Sequence, residues 1–275
     1  MKQNWKINVT DRQLRDFQML SVDIFTKEKI EGGIGTLGEK KLHAILKHYL
    51  CPDESRHEIR LSDALPSLTA AEKTTAKKYV ADILTESGEI YEIQTGSFAP
   101  LRAKIGWILE NTPYSVTVVH PISVKKYINR IDAVTGELLS RRLSPKSGSL
   151  NDLAQNLYYV TNFLGSPRFG IRVLAIETEE YQIVGTGKKT RRGREKKIKD
   201  RLPTKLYDEI DFFLPEDFEV FLPDALPQRF TAAQFSQATR LHGPAVYGTL
   251  GALVAVGLLK EGEPAGRAKT WEKIL

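Results

Sequence analysis

Residues 80–95, VADILTESGEIYEIQT, read as two short strands joined by a turn. Side chains on a strand point alternately to its two faces, so Glu92 and Gln94 share one face while Tyr91 and Ile93 share the other. Glu86-Ser87-Gly88 supplies the turn. With the turn centred on Ser87, Asp82 stands directly across from Glu92 on the same face. Two carboxylates so placed weaken a hairpin unless a cation lies between them. A hard divalent ion such as Mg2+ (or Mn2+) is served by one or two carboxylates together with waters. A water on such an ion can attack a phosphodiester while the ion offsets charge on the phosphate. The bland alternative is a pair of solvent-facing charges on an edge strand, since D…E-x-Q taken alone arises often by chance.

The flanking sequence supplies the rest of a fold. Residues 11–28 form an expected amphipathic helix carrying Leu14, Phe17, Leu20 and Phe25, ended by Gly32-Gly33. In GIGTLGEKKLHAILKHYL, Leu42, Ile45, Leu46, Tyr49 and Leu50 follow the spacing of a helix with one buried face, with Thr36 as cap and Pro52 as stop. Strands are expected at His57–Leu61, Tyr79–Leu84 and Glu89–Thr95, with a loop and short helix across 62–78. A helix follows over Pro100–Glu110 and a buried strand over Ser115–His120. Beyond Pro121 come a hairpin of Lys125–Ile131 with Glu137–Leu143, a helix from Asn151 to Phe163 capped by Ser149, and a strand at Gly170–Glu177. Pro215, Pro223 and Pro227 mark a boundary near residue 222.

A helix carrying Glu39, then Asp82 and Glu92-Ile93-Gln94 on an antiparallel hairpin, then a helix and a strand, resembles the PD-(D/E)XK nuclease superfamily over roughly residues 35–120. GIGTLGEKKLHAILK and EIQTGSFAPLRAKI also resemble an uncharacterised bacterial family of nuclease-like proteins. The resemblance implies an α/β chain with a restriction-endonuclease-like mixed sheet flanked by helices. It implies that Asp82, Glu92 and the Ile93 carbonyl bind Mg2+ and that Glu39 assists metal or water binding. Thr36-Leu37-Gly38-Glu39 is equally a capping-box spacing. Gln94 departs from the family signature, which has lysine there to orient or activate the attacking water. Lys104, or Arg102, on the next helix is the candidate replacement.

Composition narrows the function classes. The 275 residues carry 40 Lys and Arg against 34 Asp and Glu, a net charge of +6. Nine cations (Lys188, Lys189, Arg191, Arg192, Arg194, Lys196, Lys197, Lys199 and Arg201) against Glu195 and Asp200 make one segment +7, leaving the remainder near neutral. Clustered Lys and Arg gain affinity for a polyanion by releasing its counterions, so this segment is a candidate DNA-contacting arm. A solvated charged loop is the plain alternative. No apolar stretch approaches the roughly 20 residues of a membrane span, and the N-terminus has no apolar leader core. The single Cys51 excludes an intrachain disulfide and a cysteine zinc site. These features suggest a cytoplasmic protein. The five histidines lack HExxH spacing. Gly33-Ile34-Gly35-Thr36-Leu37-Gly38 lacks the preceding strand and distal acid of a dinucleotide site, so no nucleotide cofactor is expected.

Residues 223–275 resemble a winged helix-turn-helix. Thr231 caps a helix to about Arg240, Pro244 opens a second helix ending at Gly257, and strands at Leu258–Lys260 and Thr270–Ile274 flank a loop. Such a second helix ordinarily reads the major groove. Here it is apolar, with Tyr247 and Thr249 as polar contacts and Arg267 and Lys269 on the wing, so a protein-contact or dimerisation role competes with DNA binding. The function expected overall is a metal-dependent DNA endonuclease, with a homodimer for double-strand cleavage. Its rivals are a non-catalytic DNA-binding regulator on a degenerate nuclease fold and a structural subunit of a nucleoprotein complex.

Overall fold

A computed structural model describes residues 5–32, 38–65, 68–184, 189–190, 193–194 and 197–274, with side chains described outside 25–40 and 185–200. The chain opens with α1 (Asp11–Gly32) and α2 (Gly38–Leu50), then β1 (His57–Arg60), α3 (Leu61–Ala64), α4 (Ala70–Ala76), β2 (Val80–Leu84), β3 (Glu89–Ile93), α5 (Arg102–Asn111), β4 (Ser115–Asp132), β5 (Leu138–Leu143) and α6 (Leu150–Val160). β6 (Phe169–Val184), β7 (Lys189–Thr190), β8 (Gly193–Arg194) and β9 (Lys197–Phe212) follow. β10 (Arg229–Thr231), α7 (Ala232–Thr239), α8 (Pro244–Ala255), β11 (Leu259–Ala265) and β12 (Ala268–Lys273) complete it.

The main sheet has seven strands in the order β1-β2-β3-β4-β6-β9, with β5 paired to the distal part of β4. β1, β2 and β3 are antiparallel; β3–β4 and β4–β6 are parallel; β6–β9 is antiparallel. Helices cover both faces of this mixed sheet. On one, Phe17 of α1 and Leu42, Ile45 and Leu46 of α2 bury against Ile93, Val119, Leu174 and Leu206. On the other, Ile105 and Ile108 of α5 and Leu153 and Leu157 of α6 bury against Ile90, Val116, Val118 and Ile171. The apolar spacing read in α2 is thus the buried face of that helix.

Several elements differ from expectation. β4 runs unbroken through Pro121, where a strand end and a new hairpin were expected. The physical reason lies in the ladder. Val119 accepts from the Gln94 amide of β3, and alternate residues of a strand bond to the same neighbour. Pro121 therefore points its missing N–H toward the space that β3 has already left. β6 runs on to Val184, seven residues past its expected end, and β9 was not anticipated at all. β9 lies at the sheet edge, where Pro203 is tolerated, and its charged composition hid it. In the C-terminal segment, β10 was missed, and β11 and β12 extend into the expected loop, closing around Gly266 at φ 63°.

β10, β12 and β11 make a small antiparallel sheet. Thr231 caps α7 in a reciprocal pair with Gln234, as its sequence suggested. α8 is the correction here: Ala245, Val246, Gly248, Thr249, Leu250, Ala252 and Leu253 are all buried. One continuous apolar cluster joins Leu153, Leu157 and Phe169 to Phe235, Leu250 and Trp271, so residue 222 is not a gap between separate cores. Close approach of α8 to α6 depends on Gly248, where a Cβ would sit 3.0 Å from Tyr158 Cβ and 3.1 Å from its backbone nitrogen. Gly248→Val is expected to force the helices apart and cost about 2–3 kcal/mol. A urea midpoint equal to that of the parent protein would refute this. No described helix is long and apolar enough to cross a membrane.

Candidate catalytic site at the β2–β3 hairpin

The hairpin closes through a turn in which Gly88, at φ 82°, takes a conformation that L side chains rarely adopt. Ile83 pairs with Tyr91 and Leu84 with Ile90. That register carries Asp82 opposite Glu92, as the turn centred on Ser87 requires. Tyr91 and Ile93 pack on the α1–α2 side, so Glu92 points to the α5 side by strand alternation. The ladder ends at the Ile83–Tyr91 pair. The Ile93 amide instead donates to Asp82 Oδ2 at 2.7 Å.

Glu92 is only 2% exposed. Its charged partner is Lys104, in the first turn of α5, whose Nζ lies 2.5 Å from Glu92 Oε1 and also donates to the Val80 carbonyl at 2.5 Å. The approach to Glu92 is close but poorly aligned, so Oε1 has an ionic neighbour without a well-formed hydrogen bond. The Lys104 alternative from the sequence is therefore the residue that reaches the carboxylate, while Arg102 faces solvent. Burial pushes the Glu92 carboxyl up to about 7; Lys104 pulls it down and Asp82 pushes it up.

This shift has a signed consequence for stability. The folded protein holds the Glu92 proton more tightly than the unfolded chain does. The contribution is full below the usual glutamate range and is lost as pH rises through about 7. Relative to Glu92→Gln, the parent protein should lose on the order of 2–3 kcal/mol between pH 5 and pH 8. Urea denaturation at the two pH values reads this directly; parallel behaviour of both proteins would refute it.

Gln94 Nε2 donates to the Ser97 carbonyl at 2.8 Å, so the amide nitrogen braces its own loop. The loop is braced from two further elements. His120 Nδ1 lies 2.6 Å from the Gln94 carbonyl, and Asn156 Oδ1 accepts from the Phe98 amide at 3.1 Å. Burial lowers the His120 pKa, which favours the neutral ring with Nδ1 as donor. His120 also meets the Phe98 ring edge-on at 5.1 Å. Sequence reading missed His120 and Asn156 as positioning residues. The only signal was a histidine closing an otherwise apolar strand.

Asp82, Glu92 and the Ile93 carbonyl are the oxygens of the hairpin that could hold a hard cation such as Mg2+, which takes few protein oxygens and keeps several waters. Glu92 Oε1 is buried with the Lys104 ammonium 2.5 Å away as its ionic neighbour. Among the described residues there is no group of three or more His, Cys, Asp or Glu able to hold a metal by side chains alone. The Glu39 side chain lies outside the described residues. α2 itself packs on the face of the sheet opposite α5.

The expected nucleic-acid contacts are dispersed. Lys188, Arg191, Arg192 and Lys196 lie outside the described residues, as do the side chains of Lys189, Arg194, Lys197 and Lys199. Arg201 is half exposed, with Nε 3.4 Å from Glu180. Tyr247 is exposed on α8, but Thr249 is fully buried and donates to the Ala245 carbonyl, which removes it as a DNA contact. Arg267 is exposed in the β11–β12 turn, and Lys269 pairs with Glu261 at 2.6 Å. A separate cavity of about 600 Å³ lies between α1, the end of α2 and the sheet, lined by Asp16, Met19, Tyr49, Arg172 and Glu209 among others. It does not include the Asp82–Glu92 hairpin.

The chain belongs to the family described as "Domain of unknown function (DUF8091)", whose model matches residues 40–213. That span holds Asp82, Glu92, Lys104 and the whole main sheet, and it ends before α7 and α8. A protein of Treponema pallidum (strain Nichols), described as an "Uncharacterized protein", is 28% identical over 170 residues, covering 62% of this chain. The chain matches 58% of that relative's length. No solved structure matches.

Proposed function

We propose that this protein is a metal-dependent deoxyribonuclease that hydrolyses phosphodiester bonds at Asp82 and Glu92. The observation that carries the reading is the meeting of Lys104 with Glu92, on the face of the hairpin that also carries Asp82. The order α2-β1-α3-α4-β2-β3-α5-β4, with three antiparallel strands followed by a parallel one, supports the likeness to PD-(D/E)XK nucleases, with α3 and α4 as an insertion.

Asp82, Glu92 and the Ile93 carbonyl would hold Mg2+ or Mn2+. When bound, the ion would supply charge neutralisation at the phosphate and a water of lowered pKa. Lys104 fixes the orientation of the Glu92 carboxylate and keeps a positive charge beside it. It takes from α5 the place that the family signature gives to lysine on the strand. Asp82 fixes the end of β3 by accepting from the Ile93 amide, and His120 with Asn156 holds the following loop against the site. Glu39, expected to assist metal or water binding, has no part in this reading, because α2 packs on the sheet face opposite α5.

The β-α-α-β-β order of residues 229–273 supports a winged-helix likeness. Burial of α8 against α6 favours a packing role for it over insertion into a major groove. Tyr247, Arg267 and Lys269 are the residues of that module left to meet DNA. Double-strand cleavage would call for a second copy or a second nick.

The test is incubation of the protein with supercoiled and single-stranded DNA in Mg2+, Mn2+ or EDTA. Metal-dependent nicking or degradation is expected. Binding without cleavage in any metal would move the assignment to a DNA-binding protein on a degenerate nuclease fold, a reading that the deep burial of Glu92 also suits.

A further inference from the structure

The cavity under α1 has a polar floor, and strand pairing decides which side chains form it. Arg172 of β6 stands across from Asp211 of β9, and Leu174 across from Glu209. Leu174 belongs to the core beneath α1 and α2, and alternate residues of a strand share a face. Arg172, Asp211 and Glu209 therefore point toward α1 and α2, away from Glu92 and Lys104. Above them the helices leave about 600 Å³, within the range of about 300–1,000 Å³ that small-molecule sites occupy.

The lining divides by chemistry. Met19 and Leu20 of α1, with Leu50 and Pro52 at the end of α2, give an apolar wall. Met19 is 63% exposed and so lies at the rim, where Asp16 and Asp23 are also exposed. Glu209 is half-buried on the floor. Among the described residues that line the cavity, these three are carboxylates and Arg172 is the sole lysine or arginine. His48 adds a charge only when protonated, and its Nε2 already lies 3.7 Å from Glu54.

The sign of a fitting ligand follows from which groups are already engaged. Arg172 donates from Nε and Nη2 to the two oxygens of Asp211 at 2.7 and 2.8 Å. That bidentate fork answers the guanidinium before any ligand enters. Glu209 is answered only by neutral donors: its Oε1 accepts from the Tyr49 hydroxyl and from Gln13 Nε2 at 3.3 Å. Burial and Glu209 itself push the Tyr49 phenol up, so that hydroxyl stays neutral. Oε2 of Glu209 has no donor among the described residues. An anion entering here would meet three carboxylates and an occupied guanidinium. A cation would meet a half-buried carboxylate with one oxygen free.

We propose that this cavity binds a small organic cation, an ammonium group on an apolar body. The ammonium sits on Glu209, and the body lies against Met19, Leu20, Leu50 and Pro52. The site is separate from Asp82 and Glu92 and does not depend on cleavage of DNA.

The test is isothermal titration calorimetry at low ionic strength with three probes of matched shape: phenethylamine, phenethyl alcohol and hydrocinnamate. The amine is expected to bind with a Kd of about 1 mM or tighter, as an efficient ligand of that size allows. It should bind at least about tenfold more tightly than the alcohol or the acid, the margin of one charged hydrogen bond. Glu209→Gln keeps an oxygen for the Tyr49 hydroxyl and should erase that preference. Asp16→Asn combined with Asp23→Asn changes only exposed positions of α1, so it keeps the proposal testable should Glu209→Gln fail to fold. This double variant should weaken the amine about threefold, through charges acting across water, and leave the alcohol unchanged. No binding of the amine, equal affinity for amine and alcohol, or preference for the acid overturns the proposal. So does an amine preference that survives Glu209→Gln, or an amine affinity that the double variant leaves unchanged.

Discussion

Asp82→Asn is expected to keep the fold and lose cleavage by about 10²–10³-fold or more, the loss seen when one charge-stabilising group is removed from an active site. The asparagine carbonyl oxygen can still accept from the Ile93 amide, which Asp82 Oδ2 meets at 2.7 Å, but it brings no charge to a cation. Asp82→Ala should lose cleavage equally and also leave that amide without its partner, at about 1–3 kcal/mol. The pair separates chemistry from folding. Initial rates on supercoiled DNA in Mg2+, set beside urea midpoints, measure both effects. Cleavage by Asp82→Asn at the parent rate would remove Asp82 from the proposed site.

Lys104→Ala is expected to be the most destabilising single change at the site, at about 3–5 kcal/mol, because it leaves a buried charge uncompensated. Glu92 is almost fully buried, Asp82 already pushes its carboxyl up, and Lys104 is the cation beside it. The Val80 carbonyl loses a donor as well. A neutral Glu92 needs no cation, so adding Glu92→Gln to Lys104→Ala should restore most of the loss. The double-mutant cycle should therefore show strong coupling. Urea denaturation at pH 8, where Glu92 is largely ionised, gives the largest contrast. Two losses that simply add would mean that the ion pair does not stabilise the fold. The same variant should be inactive on DNA, since the carboxylate would lose both its orientation and the adjacent charge.

Local chemistry made the centre of the site readable. Gly88 and its neighbours set the turn, the turn set the register, and the register with strand alternation placed Asp82 and Glu92 on one face. The buried side of α2, the Thr231 cap and the reach of α7 and α8 followed from spacing and capping in the same way. Each depends on residues within a few positions of one another. The side chain of Glu39 and the side chains between Lys188 and Lys199 lie outside the described residues, so their expected roles rest on sequence.

Long-range packing decided the rest. Only the fold brings Lys104 across to Glu92, some twelve positions away, and leaves the nearby Arg102 in solvent, because the phase of α5 on the sheet selects one of the two. Gln94 departs from the family signature in the sequence, but that its amide nitrogen engages the Ser97 carbonyl is a loop geometry that spacing does not encode. Pro121 reads as a strand end, but the departure of β3 leaves its missing N–H harmless. The apolar face of α8 was plain in the sequence; that α6 covers it was not, since an apolar stripe states that something will be buried and never against what. By itself the sequence determined the hairpin, its paired carboxylates and the basic segment, because these are local in chain and charge. The tertiary structure decided the partner of Glu92, the burial of α8 and the run of β4 and β6 past the end of β3, because each depends on how whole elements pack against one another.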